Sequence, residues 1–170
     1  MKSNDQNIVE KSVGFNTNNT FVTDGDKDFL TVLGPELSKL GTENNTVIIT
    51  DTFLFDPDSN QTKYVSDLKS LLKMLKAKSI IHSGYTSRNR VVFNDIKNEL
   101  NATGCSLSIN DISKAYHSRY WVCVETKKGI TVDTSLNGFQ TKRGYVHDAP
   151  DDEVDELLDV FGFKTENDDE

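Results

Sequence analysis

The order of apolar runs between residues 46 and 138 constrains the fold of this chain most strongly. Strand-like and helix-like patterns alternate along this stretch, and the last two strand-like runs flank the turn sequence Thr126-Lys127-Lys128-Gly129. The runs predict strands at 46–55, 79–81, 105–109, 116–124 and 130–134, and helices at 64–77 and 87–100. Alternating strands and helices followed by a hairpin predict an α/β domain, with one mixed sheet flanked by helices.

The two ends of the chain differ in composition from its middle. Residues 1–24 are polar and rich in Asn and Thr, and we interpret them as an N-terminal arm that can contribute an edge strand. Residues 25–162 form the predicted single domain, with further helices expected at 26–40, interrupted or restarted at Gly34-Pro35, and at 153–161. Residues 163–170, TENDDE preceded by Phe and Lys, are predicted to be a disordered acidic tail.

The negative charge is concentrated near the C-terminus. The formal net charge is −8, yet eleven acidic residues and one lysine lie between Asp148 and Glu170, so the rest of the chain is slightly positive. Within that rest, the helix predicted at 64–77 carries a row of lysines opposite its leucines. We predict a nucleic-acid-binding surface from this row and the arginines that follow it: Lys69, Lys73, Lys76, Arg88 and Arg90. The alternative is an ordinary solvated helix face.

The sequence also bears on compartment and cofactors. No apolar run approaches the ~18 residues needed to span a bilayer, and the first residues lack the apolar core of a signal peptide. Cys105 and Cys123 have neither disulfide-framework nor metal-site spacing. We therefore predict a cytoplasmic protein with no metal and no cofactor.

The predicted hairpin brings four polar residues together. Period-two alternation places His117 and Arg119 on the same face of the first hairpin strand. With the turn centred near Lys127, Arg119 would lie opposite Ser135, and His117 opposite Asn137. Arginine, hydroxyl and amide groups are suited to phosphate oxygens, so the hairpin predicts a phosphate site. A catalytic site, a site that binds phosphate without turnover, and a purely structural histidine all remain open.

A second histidine lies at the end of an earlier strand. His82 ends the strand predicted at 79–81 and precedes the polar sequence Ser-Gly-Tyr-Thr-Ser. Ligand groups collect at the carboxyl ends of parallel strands in α/β sheets. A ligand-binding role and a structural role are both compatible with this position.

The hairpin residues carry a family resemblance. His117-Ser118-Arg119 on a strand, then a hairpin and the sequence Thr134-Ser135-Leu136-Asn137-Gly138, resemble the phospholipase D-like superfamily. Within it, the segment is similar to histidine-x-arginine variants in bacterial and phage-associated conflict proteins, and to the C-terminal domain of MIT-domain proteins. The order of elements is similar over residues 46–160. The resemblance implies a phospholipase D-like domain and a role in phage defence.

The resemblance also implies roles for these residues. His117 would be the nucleophile of a metal-free displacement at phosphorus, and Arg119 would replace the family's lysine as the cation on the phosphate. Ser135 and Asn137 would donate hydrogen bonds to the same phosphate. The family's acidic residue lies five positions after the lysine, where this chain has Val124.

Two functions follow from the resemblance. Active members use two such motifs and this chain has one, so catalysis implies a homodimer that brings two His117 residues together. The first function is a metal-independent phosphodiesterase, a nuclease in view of the basic helix. The alternative is an inactive module that binds a phosphate-bearing ligand, nucleic acid, a lipid headgroup or a protein partner.

Overall fold

A computed structural model describes residues 21–22, 28–57, 61–83, 90–110, 112, 118–139 and 144–163. These ranges contain seven strands and four α-helices in a mixed order. The strands are β1 Phe21–Val22, β2 Thr46–Ile49, β3 Ser79–His82, β4 Ser106–Ile109, β5 Arg119–Cys123, β6 Lys128–Val132 and β7 Tyr145–Asp148. The helices are α1 Phe29–Ser38, α2 Gln61–Met74, α3 Arg90–Ala102 and α4 Asp151–Val160, and a 3-10 turn spans Leu136–Gly138.

The seven strands form one mixed sheet in the order β1-β7-β6-β5-β2-β3-β4. The strands β2, β3 and β4 are parallel to one another, and α2 and α3 connect them. The remaining neighbours pair antiparallel, including the two-residue β1 at the edge. This confirms the predicted fold class, a mixed sheet flanked by helices. Across the described ranges, none of the helices combines the length and the apolar character that crossing a membrane requires.

The helices cover both faces of the sheet and create two apolar cores. The larger core joins one sheet face to α1, α2 and α3, and the smaller joins the other face to α4. Alternate residues of β5 divide between them, with Trp121 and Cys123 in the larger core and Tyr120 and Val122 in the smaller. The predicted period-two alternation of β5 is therefore confirmed.

Three elements differ from the sequence-based expectation. The strand β2 ends at Ile49, because the chain then turns and returns Leu54 and Phe55 to the larger core. The helix α1 passes through Pro35 without interruption. The strand β7 was not predicted, since its four residues include one buried apolar side chain, that of Val146. The domain boundaries at residues 24/25 and 162/163 remain predictions, and residues 164–170 lie outside the described ranges.

The register of the hairpin also differs from the prediction. Arg119 pairs with Val132, not with Ser135, so the predicted pairing across the hairpin is wrong. The turn spans residues 124–127, whereas the sequence predicts it at 126–129. The reason is that Gly129 belongs to β6, where a Cβ atom would lie 2.8 Å from the Val122 side chain. This glycine permits close packing in the sheet and does not form the turn.

Candidate functional site

A polar cluster lies at the carboxyl ends of β2 and β3, next to the first residue of β5. Ile49 is level with His82 on one side and with Trp121 on the other. Beyond it, the Thr50 N–H donates to the Tyr120 carbonyl at 2.9 Å, which continues the antiparallel pairing. Asp51 is therefore level with Arg119, on the sheet face that carries Trp121.

Arg119 is held by two groups of the protein. Its Nε lies 3.5 Å from Asp51 Oδ1, an ion pair too long for a hydrogen bond. A terminal guanidinium nitrogen donates to the backbone carbonyl of Asp133 at 3.0 Å. The Arg119 side chain is 22% exposed, whereas Asp51 is fully buried. The guanidinium is thus held by a buried carboxylate and a backbone carbonyl, while part of the side chain is exposed to solvent.

The Asp51 carboxylate has backbone partners as well. The Phe53 N–H donates to Oδ1 at 3.1 Å. Burial raises the pKa of the Asp51 carboxyl, and the Phe53 amide, the Arg119 guanidinium and the Leu136 amide act in the opposite direction. Asp51 therefore interacts both with β5 and with the 3-10 turn at Leu136–Gly138.

His82 is neutral and fixed beneath this carboxylate. The ring is fully buried, and its Nε2 lies 2.8 Å from the backbone carbonyl of Asp51. A carbonyl oxygen only accepts, so Nε2 carries the hydrogen and Nδ1 has a free lone pair. Burial lowers the pKa of His82 to about 4, partly opposed by the hydrogen bond to Asp51. Phe55 packs edge-to-face on the ring, with centroids 4.8 Å apart.

Unpaired polar atoms are concentrated at the same place. Within the described ranges, four buried side-chain atoms lack a hydrogen-bond partner: His82 Nδ1, Ser83 Oγ, Arg119 Nε and Trp121 Nε1. His82 ends β3 and Ser83 follows it, Arg119 begins β5, and Trp121 is the middle residue of β5. An unpaired buried polar group costs about 1–3 kcal/mol, so such groups are rare in structural cores. Their concentration here is typical of a functional site.

Comparisons with known proteins identify the fold. No protein-family model and no curated protein matches the chain. Among solved structures, polyphosphate kinase from Porphyromonas gingivalis matches with a TM-score of 0.52 and 10% identity over 88% of this chain. Nuc from Salmonella typhimurium, a phospholipase D family member, matches with a TM-score of 0.51 and 10% identity over 85% of this chain. The chain has a phospholipase D-like fold.

The two matches differ in how much of each known protein they cover. The chain spans 26% of the kinase chain and 90% of the Nuc chain. The predicted resemblance to the phospholipase D-like superfamily is confirmed at the level of the fold. At 10% identity the likeness concerns the fold alone, so the activity has to be argued from the residues of the site.

The phospholipase D-like fold brings together part of the predicted site. Arg119 begins β5, and Ser135 is half-buried directly before the 3-10 turn. Asn137 belongs to that turn, and its side chain is outside the described part of the structure, as is the whole of His117. Arg119 and the turn are linked through Asp51, and not through the strand pairing that the sequence suggested.

The predicted basic surface faces acidic residues of the neighbouring helix. Lys69 pairs with Asp95 at 2.8 Å and with Glu99 at 2.7 Å, and Lys73 pairs with Glu99. These contacts raise the pKa of Lys69, and the two lysines lower the pKa of Glu99. The acids on α3 repeat with the same four-residue spacing as the lysines on α2, so the two rows meet. Most of the charge of this row is compensated within the protein.

The remaining basic residues are more exposed. Lys76 lies 3.4 Å from Glu43 with both side chains largely in solvent. Arg90 is exposed at the start of α3, and Arg88 lies outside the described ranges. Nucleic-acid binding by this set stays a prediction.

Asp51 is the residue that the sequence analysis missed. Glu125, which follows Val124, does not replace the family's acid, because its carboxylate accepts the Thr46 N–H at 2.8 Å at the far end of β2. Asp51 lies two residues after the end of β2, and an acid in that position is a recognisable signal of a site at the carboxyl end of a strand. The pattern of 46–55 does not reveal this position, because apolar residues lie on both sides of Asp51 and the whole run is typical of a strand.

Proposed function

We propose that this protein is a metal-independent phosphodiesterase that cleaves nucleic acid with His117 as its nucleophile. The observation that carries the proposal is the position of Arg119 at the carboxyl ends of the central strands of a phospholipase D-like fold. A guanidinium in that position can bind two phosphate oxygens at once. The proposed setting is the cytoplasm, in the conflict between bacteria and phages.

The proposed reaction has two displacements at phosphorus. His117 attacks the phosphodiester, a P–N bond forms, and the P–O bond to the leaving alkoxide breaks. Water then attacks the phosphohistidine, which breaks the P–N bond and regenerates the histidine. Arg119 stabilises the charge on the non-bridging oxygens, and Ser135 and Asn137 donate hydrogen bonds to them. The leaving alkoxide takes its proton from the second His117 of a homodimer, and this histidine then accepts a proton from the attacking water.

A second candidate function is supported by the charges around the site. Arg119 already has two partners within the protein, and the lysines of α2 are paired with acids of α3. A phosphate would therefore compete with these partners for a cation. This arrangement favours a module that binds a phosphate-bearing ligand, nucleic acid or a protein partner without cleaving it.

One experiment separates the two functions. Labelled single-stranded DNA and bis-p-nitrophenyl phosphate are incubated with the protein in EDTA, and its mass is measured by light scattering. We expect cleavage by a dimer, no cleavage by His117→Ala, and a loss of about 10²–10³-fold in kcat for Arg119→Ala. Arg119→Lys should retain activity. His147→Ala is the matched control, since it removes an exposed histidine of β7.

The other outcomes have defined meanings. Cleavage that survives His117→Ala would refute the proposed nucleophile. A monomer that cleaves would refute the two-histidine reaction. Binding of DNA that depends on Arg119, without cleavage, would support the module. No cleavage and no binding would refute both functions.

A further inference from the structure

Asp51 interacts with both parts of the proposed phosphate site. On one side its Oδ1 lies 3.5 Å from Arg119 Nε, and on the other its carboxylate interacts with the Leu136 amide. Leu136 is flanked by Ser135 and Asn137, the proposed phosphate donors. Arg119 pairs with Val132, so strand pairing does not bring it to these donors. Within the described ranges, Asp51 is the carboxylate that ion-pairs with Arg119.

We propose that Asp51 is the positioning residue of this site, directing the Arg119 guanidinium toward the phosphate. The inference rests on the proposed function, because it assigns Arg119 and the turn to one phosphate. Asp51 does not touch the phosphate itself. It acts through Arg119, which its carboxylate contacts from the neighbouring strand side of the sheet.

The carboxylate itself is rigidly held. His82 Nε2 donates to the Asp51 carbonyl at 2.8 Å, and the Phe53 N–H donates to Oδ1 at 3.1 Å. The His82 ring is packed against Phe55 in the core. A residue whose backbone and side chain are both hydrogen-bonded has few accessible conformations, so it holds the groups that it contacts in one orientation. Supporting residues position a site in this way.

A purely structural role does not explain why an acid lies here. Removing a carboxylate from water is costly, and a neutral residue of similar volume is often as stable or more stable in a buried ion pair. Asn has the same shape and still accepts the Phe53 N–H. A structural role therefore predicts that Asp51→Asn is tolerated and that Asp51→Glu is harmful, because the extra methylene overpacks the site. A positioning role through charge predicts the reverse order for activity.

The first readout is the arginine side chain itself. The chain has four arginines, so ¹⁵N-arginine labelling gives few Nε–H signals, and Arg119→Lys identifies the one from Arg119. We expect the Arg119 Nε–H of the wild-type protein to exchange at least ten-fold more slowly than that of the exposed Arg90. Asp51→Asn should shift this signal and speed its exchange. Glu36→Gln is the matched control, since Glu36 is a buried acid paired with Lys39 in α1.

The second readout is turnover. Asp51→Asn should lower kcat about 10–100-fold with a smaller change in KM, since a displacement of about 1 Å can cost 10²-fold. Asp51→Glu should recover part of that loss. In an Arg119→Ala background, Asp51→Asn should cause little further loss, because a residue that acts mainly through Arg119 has less left to position.

The outcomes separate this inference from the proposed function. Fast exchange of the wild-type Arg119 Nε–H, or an Arg119 signal unchanged by Asp51→Asn, would overturn the inference even if the protein cleaves DNA. Asp51→Asn activity equal to wild type, or losses that add fully to those of Arg119→Ala, would also overturn it. If the wild-type protein neither cleaves nor binds DNA, the proposed function fails, and the inference that rests on it falls too. Slow exchange with the non-additive loss in kcat supports both.

Discussion

The buried His82 should make the protein less stable in mild acid. Burial lowers the pKa of His82 to about 4, whereas an unfolded histidine has a pKa of about 6.5. Between these values the unfolded chain binds a proton that the folded chain does not, so the free energy of unfolding falls as the pH falls. With 1.36 kcal/mol per pKa unit, this group should cost about 2 kcal/mol at pH 5 and about 3 kcal/mol at pH 4.

The assay compares wild type with His82→Gln by urea unfolding at pH 7.5 and pH 5. Gln cannot titrate, and its amide can still donate to the Asp51 carbonyl that His82 Nε2 contacts. Wild type should therefore lose about 2 kcal/mol more than the variant on acidification, at equal m-values. The acidic residues are shared by both proteins, so their contributions cancel to first order.

The effect of Asp51 and a control variant have to be considered in this measurement. Asp51 lies next to His82 and has the opposite effect, because its raised pKa makes folding more favourable as the pH falls, and it is present in both proteins. His147→Gln is the control for removing an exposed histidine. Equal losses in wild type and His82→Gln would refute the account of a neutral, buried His82.

Two smaller substitutions test the fold that supports the site. Gly129→Ala should lower the free energy of unfolding, measured in urea, by about 1–3 kcal/mol. The reason is that the new Cβ would lie 2.8 Å from the Val122 side chain and 3.2 Å from that of Val154. An unchanged midpoint of urea unfolding would contradict this packing of β6 against α4. Asp28→Ala should cost about 1 kcal/mol at pH 7, because Asp28 caps α1 through the Thr31 N–H at 2.8 Å. Its folded pKa is lowered, so this cost should shrink when urea unfolding is repeated at pH 3, and a constant cost would contradict the cap.

Local patterns in the sequence predicted the elements but not the partners of their polar residues. The alternation of β5 and the helical periodicity of α2 and α3 depend on neighbouring residues, and the structure has them nearly as expected. Lys69 and Lys73 lie on α2 with the predicted spacing, whereas Lys76 comes after the end of this helix. The charge of the two lysines on α2 is compensated because Asp95 and Glu99 lie on α3, and helix packing, not the local sequence, brings them together.

The hairpin shows the same limit. A glycine after Thr-Lys-Lys is typical of a turn, so the sequence predicts the turn at 126–129. In the structure the turn lies at 124–127. In the structure a Cβ on Gly129 would lie 2.8 Å from the Val122 side chain and also 3.2 Å from that of Val154, a residue of α4 that comes later in the chain. A turn centred near Lys127 puts Ser135 opposite Arg119, whereas in the structure Val132 lies opposite Arg119. Register depends on what covers the strand, which the hairpin sequence alone does not contain.

The geometry of β5 explains why the missing family acid does not exclude a site at Arg119. A residue five positions along a strand points to the opposite face and lies about 16 Å away. Val124 accordingly packs against the smaller core under α4, while Arg119 lies on the face of Trp121. An acid at 124 would be on the wrong side of this sheet, whereas Asp51 is level with Arg119 on the adjacent strand and on the same face. Among the described residues, the acid that reaches Arg119 therefore comes from the chain just after β2.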